Sequence, residues 1–183
     1  MNPIVETLRQ RIAGRSIDPE ALPPETVSEL LEAARLTPSC YNKQPWRFLV
    51  LQSKEAREKG VKTLSSGNQP WASRAPLLIF AYARAADDCQ IPDGREYFQF
   101  DLGMAVMNLM LAATARGLVA RPMAGFDPAA VKNAFGLEEA DQVLAGIAVG
   151  RPSQDESHLP AHFQGLDKKP RERKPVEAMA KVL

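Results

Sequence analysis

Residues 37–48 read Thr37-Pro38-Ser39-Cys40-Tyr41-Asn42-Lys43-Gln44-Pro45-Trp46-Arg47-Phe48. A helix-like run ends just before this segment at Leu36, and an apolar run, Phe48-Leu49-Val50-Leu51, closes it. Pro38 cannot continue a helix and restricts the residue before it to extended conformations. Hydroxyl and amide side chains then crowd a connection between a helix end and a strand, where proteins usually carry binding groups. The segment therefore predicts a binding loop.

Helix and strand patterns extend outward from this loop in both directions. Apolar residues at helical spacing predict helices over 3–13, from Pro23-Pro24 to Leu36, over 54–64, over 97–116 and from Asp127-Pro128 to Phe135-Gly136. Apolar runs predict strands over 47–52, 75–83, 118–124 and 142–149. Helices that alternate with four strands indicate an α+β or α/β fold with a covered sheet.

Two segments are not typical of a single globular core. The helix predicted over 97–116 is apolar on nearly all sides, which is typical of a helix buried partly by another subunit. After Pro152 the sequence becomes polar and rich in proline for roughly thirty residues, which is long for a structureless connection. We expect this tail to be either disordered or ordered by wrapping another surface.

Composition limits the class of protein. The chain has 183 residues, enough for one domain or one subunit of an oligomer, and 23 Lys and Arg nearly balance 22 Asp and Glu. Two cysteines, Cys40 and Cys89, are too few for a disulfide framework and favour a reducing cytosol. The N-terminus lacks a signal-peptide pattern, and the apolar run 102–115 looks too short to span a bilayer. We expect a cytoplasmic protein with unpaired thiols and no affinity for membranes.

The loop also carries a resemblance. Its Pro-Ser-x-x-Asn-x-Gln-Pro-Trp pattern, from Pro38 to Trp46, resembles the signature loop of the FMN-dependent nitroreductase family. The resemblance implies one FMN-binding domain over 1–183, of α+β or α/β three-layer-like class with a nitroreductase-like fold. In such a fold helices flank a central, mostly antiparallel sheet, a long helix lies at a dimer interface, and the tail 152–183 wraps the partner. The alternative is a well-capped loop anchored by its tryptophan, without a ligand.

Further segments extend the resemblance to a cofactor site. Arg15 and Ser16 look like the N-terminal basic and hydroxyl pair that holds the FMN phosphate and ribityl chain, although Gly14 and Asp18 depart from that motif. Asn68 precedes a strand where the family often places an amide near the flavin. The complete set of cofactor-binding residues implied by the resemblance is Arg15, Ser16, Pro38, Ser39, Cys40, Asn42, Gln44, Asn68, Ala124, Gly125, Arg171 and Arg173.

The implied activity is that of an FMN-dependent NAD(P)H oxidoreductase. It would reduce nitroaromatics, quinones or similar small acceptors by a ping-pong mechanism through flavin N5, as a homodimer with FMN at the interface. No side chain need act as an acid or base because the cofactor supplies the redox chemistry, so we assign no catalytic residue. His158 and His162 lack a third ligand, so no metal is expected. The acidic 86–96 segment lies where the family often has a mobile cover over the substrate.

Two other classes of protein stay open at this point. One is a flavin-binding protein of the same fold that serves as a sensor or in flavin degradation or dehalogenation. The other is a helical interaction module whose basic residues, from Lys168 to Lys174, bind nucleic acid. We favour the oxidoreductase, without nucleic acid as a partner, because the basic residues match the family's late phosphate-binding pattern.

Overall fold

A computed structural model of the chain describes residues 2–183 and has one four-stranded sheet at its centre. The strands are β1 (Arg47–Leu51), β2 (Leu77–Ala83), β3 (Val119–Met123) and β4 (Gln142–Gly150). They lie in the order β1-β2-β4-β3, and every neighbouring pair is antiparallel. The predicted α+β class with an antiparallel central sheet is confirmed.

Six α-helices accompany the sheet in the described residues: α1 (Pro3–Gln10), α2 (Pro24–Arg35), α3 (Lys54–Val61), α4 (Gln69–Ala72), α5 (Phe98–Ala115) and α6 (Pro128–Phe135). Two predicted caps form. Ser53 Oγ accepts the Ala56 amide at 3.2 Å, and the Asp127 carboxylate accepts the amides of Ala129 and Ala130 at 2.9 and 3.1 Å. These caps satisfy amides that the first helical turn leaves free. Only α4 was not predicted, because its four residues are too few to show a period.

Alternate residues of β2 divide the core between the two faces of the sheet. Leu77, Ile79 and Ala81 face α2 and α5, whereas Leu78 and Phe80 face the opposite side, where Trp71 of α4 is also buried. Successive strand residues point to opposite faces, so an unbroken apolar run requires cover on both. The sheet is therefore the middle layer of three.

Helix α5 spans 18 residues and packs against α2 and the sheet. By length and composition it is apolar enough to cross a membrane, contrary to the expectation that the run is too short. Core helices of soluble proteins satisfy the same criterion, and contacts with α2 and the sheet account for much of its apolar character. One face is not covered, however, and Phe100 is 61% exposed there.

The C-terminal tail differs from the expectation. Leu159 is buried in the core on the α4 side, and Pro152 pairs with Ile17 in an isolated bridge. Short 3₁₀ turns at Ala161–Phe163 and Leu166–Lys168 follow. The first half of the tail is therefore ordered by contacts with the rest of this chain rather than by another surface. From Lys168 onward the residues are exposed.

Candidate functional site

The binding loop, residues 37–46, has an unusual backbone. Tyr41, Asn42 and Gln44 have φ angles of 47°, 56° and 50°, in the left-handed region that non-glycine residues seldom enter. The Ser39 hydroxyl accepts the Gln44 amide at 2.9 Å, and the Gln44 side chain donates to the Asn42 carbonyl at 3.2 Å. Strained backbone of this kind persists where surrounding contacts impose it, and it is concentrated at functional sites.

Helix α5 and the core hold the ends of the binding loop. The Asn108 amide of α5 donates to the Thr37 hydroxyl at 2.7 Å, and the Asp101 carboxylate accepts the Cys40 amide at 3.0 Å. Trp46 is buried against the core, as its anchoring role predicts. Asp101 is 1% exposed, and this burial raises the pKa of its carboxyl, with the nearby Asp88 charge adding to the effect and the Cys40 amide opposing it.

Cys40 and Cys89 form a disulfide, with their Cα atoms 5.7 Å apart. The expectation that both thiols are unpaired is therefore wrong. The buried Asp88 carboxylate accepts the amides of Cys89 at 2.7 Å and Tyr97 at 2.6 Å, which closes residues 88–97 into a compact segment. The disulfide joins this segment to the binding loop. Nothing in a 49-residue separation indicates such a pair from sequence.

A cavity of about 380 Å³ opens between the binding loop and the 88–97 segment. We call it the loop cavity. Its walls are mostly apolar and aromatic, with one guanidinium and one carboxylate, and are formed by Pro38, Ser39, Cys40, Tyr41, Ile91, Arg95, Tyr97, Phe100, Asp101 and Met104. Tyr41 is 76% exposed at its rim. Such a lining suits a small planar or aromatic compound.

A second cavity, of about 390 Å³, lies between the end of α1 and the tail. We call it the cationic cavity because Arg11, Lys169, Arg171 and Arg173 line it together with one carboxylate, that of Asp167. The Arg171 guanidinium donates to the carbonyl groups of Arg9 and Arg11. Burial and then the charges of Arg171 and Arg173 lower the pKa of the Arg11 guanidinium. Like charges held this close favour an anion between them.

Arg15 and Ser16, both predicted to bind the cofactor, contact the tail in this structure. The Arg15 amide and guanidinium donate to the Asp167 carboxylate at 2.6 and 2.8 Å, and the guanidinium lies 4.4 Å from the centre of the Phe163 ring. The Ser16 hydroxyl donates to the Asp155 carbonyl at 2.6 Å. Asp18 is not the acidic group that faces the cationic cavity, because its carboxylate accepts the Glu20 amide at 2.8 Å.

Asn68 and Gly125 meet, although they lie far apart in sequence. The Asn68 side-chain amide and the Ser65 backbone amide both donate to the Gly125 carbonyl at 2.9 Å. A Cβ atom on residue 125 would lie 2.6 Å from both Asn68 Nδ2 and Ser65 Oγ, so any larger residue would force these side chains to move. Arg121 lies between α4 and the N-terminal segment. Its guanidinium donates to the Ala13 carbonyl and lies 5.3 Å from the centre of the Trp71 ring.

The predicted site residues therefore fall into three groups within this chain: the binding loop, the paired Asn68 and Gly125 with neighbouring Ala124, and the residues at or beside the cationic cavity. The loop cavity and the cationic cavity have no lining residue in common. Sequence reasoning missed Arg11, Lys169 and Asp167, since no spacing indicates that residues 11 and 167 will meet. Within residues 2–183, no group of three or more His, Cys, Asp and Glu side chains is arranged to hold a metal ion.

Comparisons with known proteins agree on one family. The model of the nitroreductase family matches residues 8–66 and 61–151. YdgI of Bacillus subtilis (strain 168), which carries the provisional name NAD(P)H nitroreductase, is 31% identical over 84% of this chain and 90% of its own length. YdjA of Escherichia coli (strain K12), with the same provisional name, is 28% identical over 79% of this chain and 85% of its own.

Solved structures of similar proteins share the fold. A crystal structure described as an oxidoreductase containing FMN superimposes with a TM-score of 0.84 at 28% identity, and covers 99% of this chain and 90% of that one. A nitroreductase-like protein of Exiguobacterium sibiricum, solved in complex with FMN, gives a TM-score of 0.81 at 21% identity over 100% of this chain and 98% of that one. The second likeness concerns the fold alone.

Proposed function

This chain belongs to the nitroreductase family, and on that basis we propose that it is an NAD(P)H-dependent flavin oxidoreductase that binds FMN. The single observation that carries the proposal is the cationic cavity, where guanidinium groups outnumber carboxylates beside residues that match the family's phosphate-binding motifs. The acceptors we propose are nitroaromatics, quinones or similar small oxidised compounds. The apolar loop cavity suits molecules of that size and shape.

The donor set of the cationic cavity fits the phosphate of FMN. A phosphate monoester carries a charge of about −1.5 to −2 at neutral pH and accepts bidentate hydrogen bonds from arginine. Arg11, Arg171 and Arg173 offer such donors from two segments. Burial and then repulsion by Arg171 and Arg173 lower the pKa of the Arg11 guanidinium, and an anion would relieve that repulsion. An adenine half would require a further nucleotide site, and the sequence shows no dinucleotide fingerprint. We therefore propose FMN rather than FAD.

FMN, when bound, supplies the redox chemistry by taking a hydride from NAD(P)H and later reducing the acceptor, in a ping-pong sequence that we propose here. The side chains of this protein bind the cofactor, orient it and shield it from water. The guanidinium groups hold the phosphate. The Asn68 side chain is held in one orientation by the hydrogen bond that its amide donates to the Gly125 carbonyl. The binding loop holds its amides and hydroxyl in one strained arrangement. We assign no catalytic residue and no metal.

The assembly that we propose is a homodimer with FMN between the subunits. Its support is the separation of the loop cavity from the cationic cavity, because a partner's binding loop can complete a site that one subunit leaves unfinished. The uncovered face of α5 provides apolar surface for the contact. We also propose that residues 1–183 act as one domain and that the protein works in the cytoplasm.

The visible spectrum of the purified protein tests the proposal. We expect yellow protein that releases FMN on heating, identified by chromatography, and rapid anaerobic bleaching by NADH or NADPH. Parallel lines in a double-reciprocal plot at several acceptor concentrations would support ping-pong kinetics. A flavin that neither nucleotide reduces would point to a flavin-binding protein without this activity. Colourless protein that rejects FMN and shifts a nucleic-acid probe would overturn the proposal.

A further inference from the structure

The two sulfur atoms of the disulfide lie in different surroundings. Cys89 is 3% exposed and lies beside the buried Asp88 carboxylate, which accepts its amide. Cys40 is only partly buried and forms part of the wall of the loop cavity. A nucleophile in the loop cavity therefore meets Cys40, whereas Cys89 lines a separate, smaller cavity of about 150 Å³.

A disulfide in a cytoplasmic protein is usually transient, and it takes part in catalysis or redox sensing. The cytoplasmic location is part of the proposed function, and the present inference rests on it. The bond joins two connecting segments rather than two α-helices or strands. Residues 38–41 and Ile91, which lies two residues after Cys89, line the loop cavity, so a change in this bond acts on the walls of that cavity.

We propose that the Cys40–Cys89 pair is a thiol–disulfide exchange site, attacked at Cys40 by a low-molecular-weight thiol that enters through the loop cavity. The thiolate sulfur bonds to Cys40 Sγ, the bond between the two cysteines breaks, and Cys89 leaves with the electron pair and takes up a proton. A second thiol then attacks the mixed disulfide and frees Cys40. In total, two small thiols are oxidised to one disulfide and the protein disulfide is reduced to two thiols.

Reduction changes what holds the 88–97 segment. The hydrogen bonds from the amides of Cys89 and Tyr97 to Asp88 remain, but no covalent bond then restrains the segment, so it opens more readily. Its covalent attachment to the binding loop is lost. Ile91 and Arg95, which form one wall of the loop cavity, can then move away from Cys40 and Tyr41. The thiol state thus controls the width of the cavity in which we place the acceptor.

Alkylation of the native protein tests the exchange site directly. Iodoacetamide should label no cysteine in the oxidised protein and both after treatment with reduced glutathione, as counted by mass spectrometry. In Cys89→Ser, we expect Cys40 to react about tenfold or more faster than Cys89 reacts in Cys40→Ser, because buried thiols react slowly. Equal rates in denaturant are the control. Equal rates in the native state, or two free thiols after air oxidation, would overturn the proposal.

Tryptic cleavage after Arg95 tests the consequence. Reduction should speed this cleavage about tenfold, since local opening limits proteolysis of folded segments. Cys40→Ser/Cys89→Ser should be cleaved at the fast rate with or without reductant, and cleavage after the exposed Lys181 should not change. If the rate of cleavage after Arg95 is the same in the oxidised and the reduced protein, the proposal that the thiol state controls the cavity is overturned. Neither assay involves flavin or NAD(P)H, so the results of both are independent of whether the protein has the proposed activity.

Discussion

At the scale of single residues, Asp167 supplies the one carboxylate that lines the cationic cavity. Its carboxylate accepts both the amide and the guanidinium of Arg15, yet it also lines the cationic cavity. A bound phosphate must therefore tolerate a nearby negative charge. Asp167→Asn keeps an acceptor for the Arg15 amide and removes that charge. We expect FMN to bind apoprotein several-fold more tightly in fluorescence titrations, and weaker binding would mean that Asp167 acts by positioning Arg15.

Arg173 is the cleanest test of the phosphate site. Its guanidinium is exposed at the cationic cavity and donates to the carbonyl of its own neighbour, Glu172, so its removal should leave the fold intact. We expect Arg173→Ala to weaken FMN binding about ten- to a hundredfold, the value of a charge-assisted hydrogen bond of about 1.5–3 kcal/mol. Arg35→Ala is the matched control, because Arg35 pairs with Glu32 on the exposed surface of α2. An unchanged dissociation constant for Arg173→Ala would mean that Arg173 does not bind the phosphate and that the tail is a solvated surface.

Asp101 makes stability depend on pH in a direction that follows from its burial. Its pKa in the folded protein is raised above the ordinary 3.8 by burial, so between the two values the folded state holds the extra proton. Stability from this group is therefore lost as pH rises through that window. Asp101→Asn keeps an oxygen for the Cys40 amide and does not titrate. Its unfolding free energy in urea, relative to wild type, should rise with pH and then level off.

The matched control for this prediction is Asp93→Asn. The Arg95 guanidinium and the Arg95 amide lower the pKa of the Asp93 carboxyl, so this group stabilises the folded state above its unfolded pKa. The unfolding free energy of Asp93→Asn relative to wild type should therefore fall with rising pH, the opposite direction. The same trend in both variants would show that neither carboxyl is responsible.

At the scale of elements, the disulfide ties the binding loop to the segment that follows β2. It closes a loop of 49 residues, which restricts the unfolded chain. We expect wild type to lose about 2–4 kcal/mol of unfolding free energy on reduction, measured in urea. Cys40→Ser/Cys89→Ser should show the same loss and no further response to reductant. A response of the double variant to reductant would mean that the effect does not arise from this bond.

Local elements were predictable because their causes are local. The caps at Ser53 and Asp127, the doubly covered β2 and the boundaries of α5 follow from a few neighbouring residues. Contacts between distant segments were not. Neither the Cys40–Cys89 bond nor the approach of Arg11 to Arg171 leaves a trace in the residue spacing. The site motifs were identified by resemblance, and their roles toward FMN remain predictions.

At the scale of the whole molecule, the uncovered surface of α5 indicates a partner. Phe100, Met104, Met107 and Leu111 follow one another at helical spacing, and none of them is fully buried. Apolar residues at such spacing normally face a core. Helix α1 adds a second apolar surface, since its residues Ile4, Val5 and Leu8 are all exposed, as is Ile12 just after it. An apolar patch of this extent on a soluble protein usually marks an interface.

The proposed dimer would make flavin binding depend on association, which gives the last prediction. Met107→Glu places a charge in the middle of the α5 stripe, where a two-fold partner would bury it without a counter-ion, so we expect the variant to sediment as a monomer. It should also lose FMN, because each site then lacks the binding loop of the partner. Leu144→Glu, at a partly exposed position of β4, is the control and should stay dimeric and yellow.

Sedimentation of the wild type over a range of concentrations gives a second test, with protein and flavin absorbance recorded together. Flavin should be released as dimers dissociate, and added FMN should shift the equilibrium back toward the dimer. A monomer that keeps its flavin would show that one subunit builds the whole site, with its own loop cavity serving its own cationic cavity.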